Sequence, residues 1–313
     1  MFTVFTTACD RPEELKRLYR SLLRQTYKDF RWLIVDDSTD DCVCEVIGKI
    51  KKQGLVQIDY HRQKHKGRYW AQRTGFALVN TPYMIDIDDD DELTDDCLET
   101  LAREWEKLED EKKNEIGVIC GMCIDKDGKE LSYHDERPYI DTDYIEMEWT
   151  QKHPSENLIS RKKEVVENVA VFCDEGKWLS DKISFVRESV LWNRIAKKYK
   201  SRYINHPMRI YHTESDDRLS IPRFGEQRCI DYTYSNYVIL NELKDRVWEN
   251  PKDAVKYMAE YMACGSALKY GIKTLMLHLD LFSLKVIAVL LYPFALQLGK
   301  YFRKKYFVSE EVF

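Results

Sequence analysis

The chain has 313 residues, of which 44% are hydrophobic and 33% are charged, and its formal net charge is −5. This apolar fraction is sufficient for a core and excludes a wholly disordered chain, while 12 glycines and 8 prolines are too few for a collagen-like or low-complexity one. The acidic balance argues against a nucleic-acid partner, because proteins that bind duplex DNA are normally basic. The length predicts two domains, or one large α/β domain with additions.

Strands and helices alternate along the first 121 residues. Short apolar runs predict strands at 2–7, 31–37, 55–60, 83–87 and 116–121. Between them, helical patterns occur around Leu15, Leu18, Leu22 and Leu23 and over 40–52, 68–79 and 95–112. This alternation indicates βαβ units, and therefore a mostly parallel sheet flanked by helices.

The pattern is looser from 125 to 180. A clear amphipathic helix is predicted at 188–199, two short strands at 201–212, and helical structure at 226–270.

The C-terminal part differs from the rest in composition. Residues 281–298 form an apolar stretch with one lysine and one proline, and four basic residues among aromatics follow in 300–307. A spanning helix needs about 20 apolar residues. The alternatives are therefore an interfacial helix attracted to anionic lipid, a helix docked on the protein, and a membrane span.

The nine cysteines favour reduced thiols in the cytosol, because their number is odd and the N-terminus shows no secretory signal. The pairs Cys42/Cys44 and Cys120/Cys123 could form a zinc site only if they converged across about 75 residues. Buried thiols are the simpler interpretation.

Polar residues follow three of the predicted strands, in the segments 7–10, 36–37 and 86–91. In parallel α/β sheets, ligands bind beyond the carboxyl ends of the strands. The sequence therefore predicts a ligand site where these three segments meet.

Five aspartates lie within the six residues 86–91, directly after a predicted strand. Their mutual repulsion favours a bound divalent cation. An EF-hand loop is excluded, because Leu93 stands where the loop starting at Asp88 needs glycine. The chain also lacks the glycine-rich signatures of P-loop and dinucleotide sites. A ligand containing a diphosphate, bound through a metal, is the remaining interpretation.

Two segments carry a family resemblance. Residues 3–41 (TVFTTACDRPEELKRLYRSLLRQTYKDFRWLIVDDSTDD) and 66–99 (KGRYWAQRTGFALVNTPYMIDIDDDDELTDDCLE) resemble the inverting family 2 glycosyltransferases of the GT-A fold, which is Rossmann-like. Residues 176–212 more weakly resemble a block of bacterial capsule and surface-polysaccharide members. The departures are Cys9-Asp10, Arg73 and the extra Asp89.

The resemblance implies a role for each matching residue. Thr7, Asp36, Asp37 and Arg68 would bind the nucleotide, and Asp88, Asp90 and Asp91 would bind Mn²⁺ or Mg²⁺. The general base would be Glu188, and Asp181 is the competing candidate. A late histidine such as His212 is a further metal ligand in some members, although a structural role is the simpler expectation. Trp178 and Trp192 could stack on a sugar, with core packing as the alternative.

The resemblance also implies the organisation of the chain. The expected domains are a glycosyltransferase domain at 1–220, with a nucleotide-sugar half at 1–95 and an acceptor half at 96–220, and a helical region at 221–313 with a membrane-proximal tail. The expected reaction moves a sugar from a nucleotide-diphosphate sugar, by default a UDP-sugar, to a hydroxyl of a glycan or lipid-linked acceptor. The expected location is cytoplasmic, peripheral on the inner face of the membrane.

Three other functions are alternatives. The first is a non-catalytic nucleotide- or glycan-binding protein of the same fold. The second, a sugar-nucleotide pyrophosphorylase, would need a glycine-rich segment after the first strand. The third is a calcium-binding module, which predicts tight metal binding without nucleotide.

Overall fold

A computed structural model of the chain describes residues 1–108, 112, 114–133, 136–150, 156–168, 178–212, 225–243 and 246–307. The chain divides into two compact units. The first comprises Met1–Val171 and Ile195–Asp216, and the second comprises Phe172–Arg194 and Asp217–Phe313. This division differs from the predicted domains chiefly in one segment, because residues 172–194 group with the C-terminal helices.

The first unit is built on one sheet. Its strands are β1 (Phe2–Ala8), β2 (Phe30–Asp36), β3 (Gln57–Arg62), β4 (Tyr83–Asp86), β5 (Glu92–Leu93), β6 (Ile116–Asp125), β7 (Tyr139–Thr142), β8 (Asn157–Lys162) and β9 (Lys200–Tyr211). Its helices are α1 (Pro12–Arg24), α2 (Cys42–Lys51), α3 (Arg68–Leu78), α4 (Cys97–Lys107), α5 (Tyr144–Thr150) and α6 (Lys163–Asn168).

The strand order is β3-β2-β1-β4-β8-β6-β9-β5, and β7 pairs with β9. Neighbours from β3 to β4 run parallel, and so do β6 and β9, whereas β8 runs antiparallel to both β4 and β6. The sheet is therefore mixed, with its parallel part formed by the predicted βαβ units. That part places the ends of β1, β2 and β4 at one edge.

The sequence of α1 shows why a helix forms beside this sheet. Pro12 occupies the first turn, where its fixed φ is favourable and its missing N–H costs nothing. Leu15, Leu18 and Leu22 recur on one face and are fully buried in the main core with the apolar side chains of β1 and β2. This burial fixes the helix on the sheet, and so fixes the β1–α1 connection at the polar edge.

The second unit is helical. It contains α7 (Glu188–Ala196, whose last two residues fall in the first unit), α8 (Glu226–Glu242), a short 3₁₀ helix (Val247–Glu249), α9 (Pro251–Ala267), α10 (Ile272–Leu277) and α11 (Phe282–Tyr306). Asn250 caps α9 by accepting a hydrogen bond from the Asp253 amide at 3.2 Å, and Pro251 follows at the first helical position. These signals divide the predicted 226–270 helical region into α8 and α9.

Two sequence predictions differ from the structure. The two strands predicted at 201–212 are one strand, β9, whose pairing with β6 shifts register around Pro207. Proline cannot donate to a ladder, so the shift accommodates it without ending the strand. The predicted loose stretch 125–180 contains the central strand β8.

Candidate functional site

The acidic segment follows β4 at the polar edge of the sheet. Ile87 continues the line of β4, since it is buried and its amide donates to the carbonyl of Phe5 on β1 at 3.0 Å. Asp88, Asp90 and Asp91 come next, and one oxygen from each lies within 4.8 Å of the others. The carboxylates predicted to bind a metal are thus brought together.

Arg209, at the carboxyl end of β9, connects two of these carboxylates. Its Nη2 lies 2.9 Å from Asp88 and its Nε lies 2.6 Å from Asp91. Asp91 also accepts the backbone N–H of His212 at 2.9 Å, while Arg68 donates to the other oxygen of Asp88 at 2.7 Å. Asp88 therefore pairs with two guanidinium groups, those of Arg68 and Arg209, and Asp91 pairs with that of Arg209.

A third arginine, Arg11, lies in the β1–α1 connection. Its Nη1 is 2.7 Å from a carboxylate oxygen of Asp90 and 3.5 Å from one of Asp89. Asp89 also lies 3.4 Å from the backbone amide of Cys9. Four carboxylates thus meet three guanidinium groups, so their formal charges sum to −1 when every carboxylate is ionised.

Burial and ion pairing separate the proton affinities of these aspartates. Desolvation would raise the pKa of Asp88, but Arg68 and Arg209 outweigh it and hold this pKa below its usual value. For Asp89 and Asp91 desolvation dominates, and it raises each pKa to about 7. Asp88 therefore remains the anionic centre of the cluster at neutral pH.

The donor set fits a hard divalent cation. Asp88, Asp90 and Asp91 offer only carboxylate oxygens, which are the ligands that Mg²⁺ and Mn²⁺ take in proteins. The arginines occupy some of the lone pairs that a metal would use. We therefore expect weak binding of the metal alone, and stronger binding when an anionic ligand recruits the arginines.

Asp37, at the end of β2, organises the β3–α3 loop. Its carboxylate, 2% exposed, accepts hydrogen bonds from the Gln63 side chain at 2.8 Å and from the Lys66 and Gly67 amides at 2.9 and 2.8 Å. His65 Nδ1 lies 3.2 Å from the same carboxylate. This loop leads into α3, whose first residue is Arg68. Contact with a nucleotide base at Asp37 would require one of the two side-chain partners to move.

The other predicted nucleotide-binding residues lie nearby in the fold. Asp36 is fully buried and accepts from the Ser38 amide at 2.9 Å and the Tyr60 hydroxyl at 2.5 Å. Thr7 is half-buried near the end of β1, in register with Val35 on β2. The nucleotide-contact roles of Thr7, Asp36, Asp37 and Arg68 stay predictions.

Both predicted general bases belong to the second unit. Glu188 is the first residue of α7 and Asp181 lies in the preceding turn, and both side chains are exposed. The stretch before Glu188 is fastened to α8, because Asp231 accepts from the Ser184 and Phe185 amides at 2.9 and 3.2 Å. Their catalytic roles also stay predictions.

Three open alternatives have structural counterparts. The His212 ring contacts Glu92 at 3.1 Å, and its atoms are not part of the Asp88–Asp90–Asp91 cluster.

Trp178 stacks on His278 with ring centres 4.1 Å apart, so it packs within the second unit, whereas Trp192 is half-buried. Among the described residues, no three-ligand group joins the two predicted cysteine pairs, and the eight cysteines there are free thiols.

Sequence reasoning missed Arg11 and Arg209 as members of the site. Arg209 lies 118 positions from Asp91, and Arg11 lies 79 positions from Asp90. The only signal for Arg11 was its place directly after the first polar segment. No local pattern marked Arg209, because its position depends on the pairing of β9 with β5 and β6.

Comparisons with known proteins match the chain to glycosyltransferases. A family model described as Glycosyl transferase family 2 matches residues 3–173. A curated relative, the GalNAc(5)-diNAcBac-PP-undecaprenol beta-1,3-glucosyltransferase of Campylobacter jejuni subsp. jejuni serotype O:2, is 24% identical over 274 residues, which cover 83% of this chain and 82% of the relative.

Solved structures show the same fold. The crystal structure of S. aureus TarS 1-349 in complex with UDP-GlcNAc has a TM-score of 0.60 at 9% identity, covering 96% of this chain and 91% of that one. A longer S. aureus TarS structure has a TM-score of 0.57 at 11% identity, and the chain spans 55% of its length. The predicted α/β fold of the GT-A class, with a C-terminal helical extension, is confirmed.

Proposed function

The chain belongs to glycosyl transferase family 2, and from this premise we propose that it moves a sugar from a nucleotide-diphosphate sugar to a hydroxyl group. The observation that carries the proposal is the cluster of Asp88, Asp90 and Asp91 at the ligand-binding edge of the sheet. We propose a UDP-sugar as the donor, which is consistent with the UDP-GlcNAc complex of S. aureus TarS.

In this proposal Asp88, Asp90 and Asp91 hold Mn²⁺ or Mg²⁺. The ion would neutralise the charge that develops on the leaving diphosphate. Arg11 and Arg68 are close enough to the carboxylates to exchange them for phosphate oxygens, which planar guanidinium groups bind well. Arg209 would keep Asp88 and Asp91 fixed during this exchange.

We propose Glu188 as the general base of an inverting transfer. Its carboxylate takes the proton of the acceptor hydroxyl while the hydroxyl oxygen forms a bond to the anomeric carbon. The bond from that carbon to the diphosphate breaks, and the leaving group takes the electron pair. The hydrogen bonds from Ser184 and Phe185 to Asp231 fix the backbone before Glu188, which supports positioning of this base.

The acceptor in the proposal is a glycan or a lipid-linked glycan. The C. jejuni relative is named for an undecaprenol-linked acceptor. Helix α11 is long and apolar enough to cross a membrane by length and composition, and 22% of its apolar window is buried. These two observations support an enzyme that works at a membrane surface, and we propose that this is the inner, cytoplasmic face.

Thermal unfolding with UDP, with and without Mn²⁺, tests the donor site. A ligand that binds only the native state raises the midpoint by mass action. We expect UDP and Mn²⁺ together to raise the midpoint more than the sum of their separate effects, and Asp90→Asn to remove this excess. The exposed Asp95, which pairs with Arg24, gives the matched control Asp95→Asn, and it should behave as wild type.

Two outcomes would count against the donor site. An equal midpoint with and without UDP and Mn²⁺ would overturn it. Tight Mn²⁺ binding in the absence of nucleotide would instead support a calcium-type metal module. If the excess stabilisation is found, a screen of UDP-sugars for transfer follows from it.

A further inference from the structure

Helix α11 presents an apolar face to the surface of the second unit, and α10 exposes one further large apolar side chain. Along α11, Phe282, Leu290 and Phe294 are 80%, 67% and 73% exposed, and Leu277 of α10 is 77% exposed. The other strongly exposed apolar side chains of this helix follow the same helical face: Val286, Val289, Leu298 and Tyr301. A contiguous patch of this kind marks an interaction surface.

The opposite side of α11 is fixed to α9. A Cβ added at Gly299 would lie 2.7 Å from the backbone nitrogen of Ala267, so the two helices touch closely there. Arg303 donates to the carbonyl oxygens of Ser266 and Ala267, both at 2.9 Å, at the end of α9. Leu284 and Ala288 are buried on the same side. The helix therefore lies along the protein and exposes one face along its length.

Positive charge is concentrated at the C-terminal end of that face. Lys300, Lys304 and Lys305 are exposed there, and Lys305 donates to the Tyr301 hydroxyl at 2.8 Å. The helix contains no aspartate or glutamate. An apolar helix face that also carries tyrosines and lysines has the side chains that lie in the interfacial region of an anionic lipid surface.

We propose that this face binds the surface of an anionic lipid bilayer, with α11 lying in the plane of the interface and not spanning the membrane. The proposal rests on the proposed function for its location and deepens it by naming the surface, the orientation and the lipid charge. The exposed apolar side chains between Phe282 and Leu298 enter the boundary between headgroups and acyl chains, and the three lysines bind anionic headgroups.

The packing of α9 favours this orientation over a span. A spanning α11 would either pull the exposed Lys252 and Lys256 of α9 into hydrocarbon or separate from α9. Separation would break the Gly299 contact and the Arg303 hydrogen bonds. A second copy of the chain is a poorer occupant, because its α11 brings the same lysines and no acidic side chain.

Vesicle flotation of the full chain tests the proposal. The vesicles contain phosphatidylcholine alone, or phosphatidylcholine with roughly 30 mol% of the anionic lipid phosphatidylglycerol. We expect binding only to the anionic vesicles, weakened by salt. Phe294→Glu should abolish it, and the triple change of Lys300, Lys304 and Lys305 to glutamine should weaken partitioning on the order of a hundredfold, at about fivefold per lysine.

The control variant is Leu55→Glu, which places the same charge on a leucine that is 65% exposed in the first unit. It should float as wild type does, and thermal unfolding with UDP and Mn²⁺ should show that each variant is folded. Equal binding to neutral and anionic vesicles, absence of binding, or resistance to alkaline carbonate extraction would overturn the proposal. A dimer in solution that Phe294→Glu dissociates would also overturn it.

The two proposals fail in different measurements. If the wild-type protein does not bind vesicles but is stabilised by UDP and Mn²⁺, the lipid-surface proposal is overturned and the donor-site proposal stands. If the protein binds anionic vesicles but UDP and Mn²⁺ do not raise its unfolding midpoint, the donor-site proposal is overturned and the lipid-surface proposal stands.

Discussion

Three arginines contact the carboxylates that we propose as metal ligands, so they would compete with a bound metal. Arg11 is the clearest case, because its Nη1 lies 2.7 Å from Asp90 while other arginines serve Asp88 and Asp91. A divalent cation competes with this guanidinium group for the Oδ2 oxygen of Asp90. Binding of metal and of an anionic diphosphate should therefore be coupled, since the diphosphate gives the displaced arginine a new partner.

This competition predicts the effect of Arg11→Gln. Without nucleotide, the variant should bind Mn²⁺ about fivefold more tightly than wild type, which corresponds to about 1 kcal/mol for a partly exposed ion pair. Electron paramagnetic resonance of free Mn²⁺ measures the affinity. Arg24→Gln is the control, because Arg24 pairs with Glu92 and Asp95 outside the cluster. Unchanged or weaker Mn²⁺ binding in Arg11→Gln would contradict the competition.

The assignment of the base predicts a separation of binding from turnover. Glu188→Gln should lower kcat by roughly a hundredfold or more, the usual range for loss of a general base, while stabilisation by UDP and Mn²⁺ stays as in wild type. Asp181→Asn, a change to an exposed carboxylate in the preceding turn, should retain most of the activity. If Asp181→Asn were the inactive variant, the roles would have to be exchanged.

Chain distance decides which site residues the sequence could predict. Asp88, Asp90 and Asp91 are neighbours in the chain, so their clustering after a strand was visible without a structure. Arg11 and Arg209 come from β1–α1 and β9 and meet the aspartates only through sheet pairing. Their role therefore needed the fold. The hydrogen bonds from the amides of Lys66 and Gly67 to Asp37 were likewise not visible in the sequence, and the nucleotide-binding role of Asp37 stays a prediction.

At the scale of elements, the sequence likewise predicted strands with a clear local pattern and missed a strand that depends on its pairing partners. The strands β1, β2 and β4 were predicted because long apolar runs alternate with amphipathic helices. The strand β8 was missed, because NLISRK is short and ends in two basic residues, and it is a strand through its pairing with β4 and β6. The break between α8 and α9 followed from the cap at Asn250, a signal that the sequence did contain.

The close contact of α9 with α11 predicts a sensitivity to one methyl group. Gly299→Ala should lower the free energy of unfolding by about 1–3 kcal/mol, because the added Cβ meets the backbone at Ala267 and Ala263, which a small side-chain shift cannot relieve. Gly48→Ala in α2 meets nothing within 4 Å and should instead raise it by about 0.5–1 kcal/mol. Urea unfolding of both variants measures the difference, and a neutral Gly299→Ala would mean that the helices do not touch there.

The burial of Asp231, the α8 residue that binds the segment before α7, predicts that the free energy of unfolding depends on pH. Its carboxylate is 3% exposed, and desolvation raises its pKa above the ordinary value despite hydrogen bonds from Ser184, Phe185 and Gln227. A carboxyl group whose pKa is raised by folding stabilises the protein most below its unfolded pKa of about 3.9, and this stabilisation is lost as the pH rises through the folded value.

Replacement of Asp231 by asparagine removes this titration. Relative to Asp231→Asn, wild type should therefore gain stability as the pH is lowered from 7 toward 4, measured by urea unfolding at each pH. The exposed Asp280 provides the control variant Asp280→Asn, whose difference from wild type should not show this trend. A gain of wild-type stability toward higher pH would reverse the sign and contradict the burial argument.

At the scale of the whole molecule, the charge distribution opposes random adsorption to lipid. The chain carries a net charge of −5, yet the exposed end of α11 is basic. An anionic membrane therefore repels the net negative charge of the protein and attracts the basic end of this helix face. Surface binding raises the local concentration of a lipid-linked acceptor without any new contact to the donor.

This argument predicts that Phe294→Glu lowers the transfer rate with a lipid-linked acceptor but not with a water-soluble acceptor that carries the same glycan. With a lipid-linked acceptor in anionic vesicles, Phe294→Glu should lower the transfer rate by about tenfold or more, because the gain in effective concentration is lost. With the same glycan on a short, water-soluble aglycone, the variant should equal wild type, since the carboxylates that we propose bind the donor lie in the first unit. An equal loss of rate with both acceptors would mean that Phe294 acts in the transfer reaction and not through membrane binding. No loss of rate with either acceptor would mean that membrane binding does not contribute to transfer.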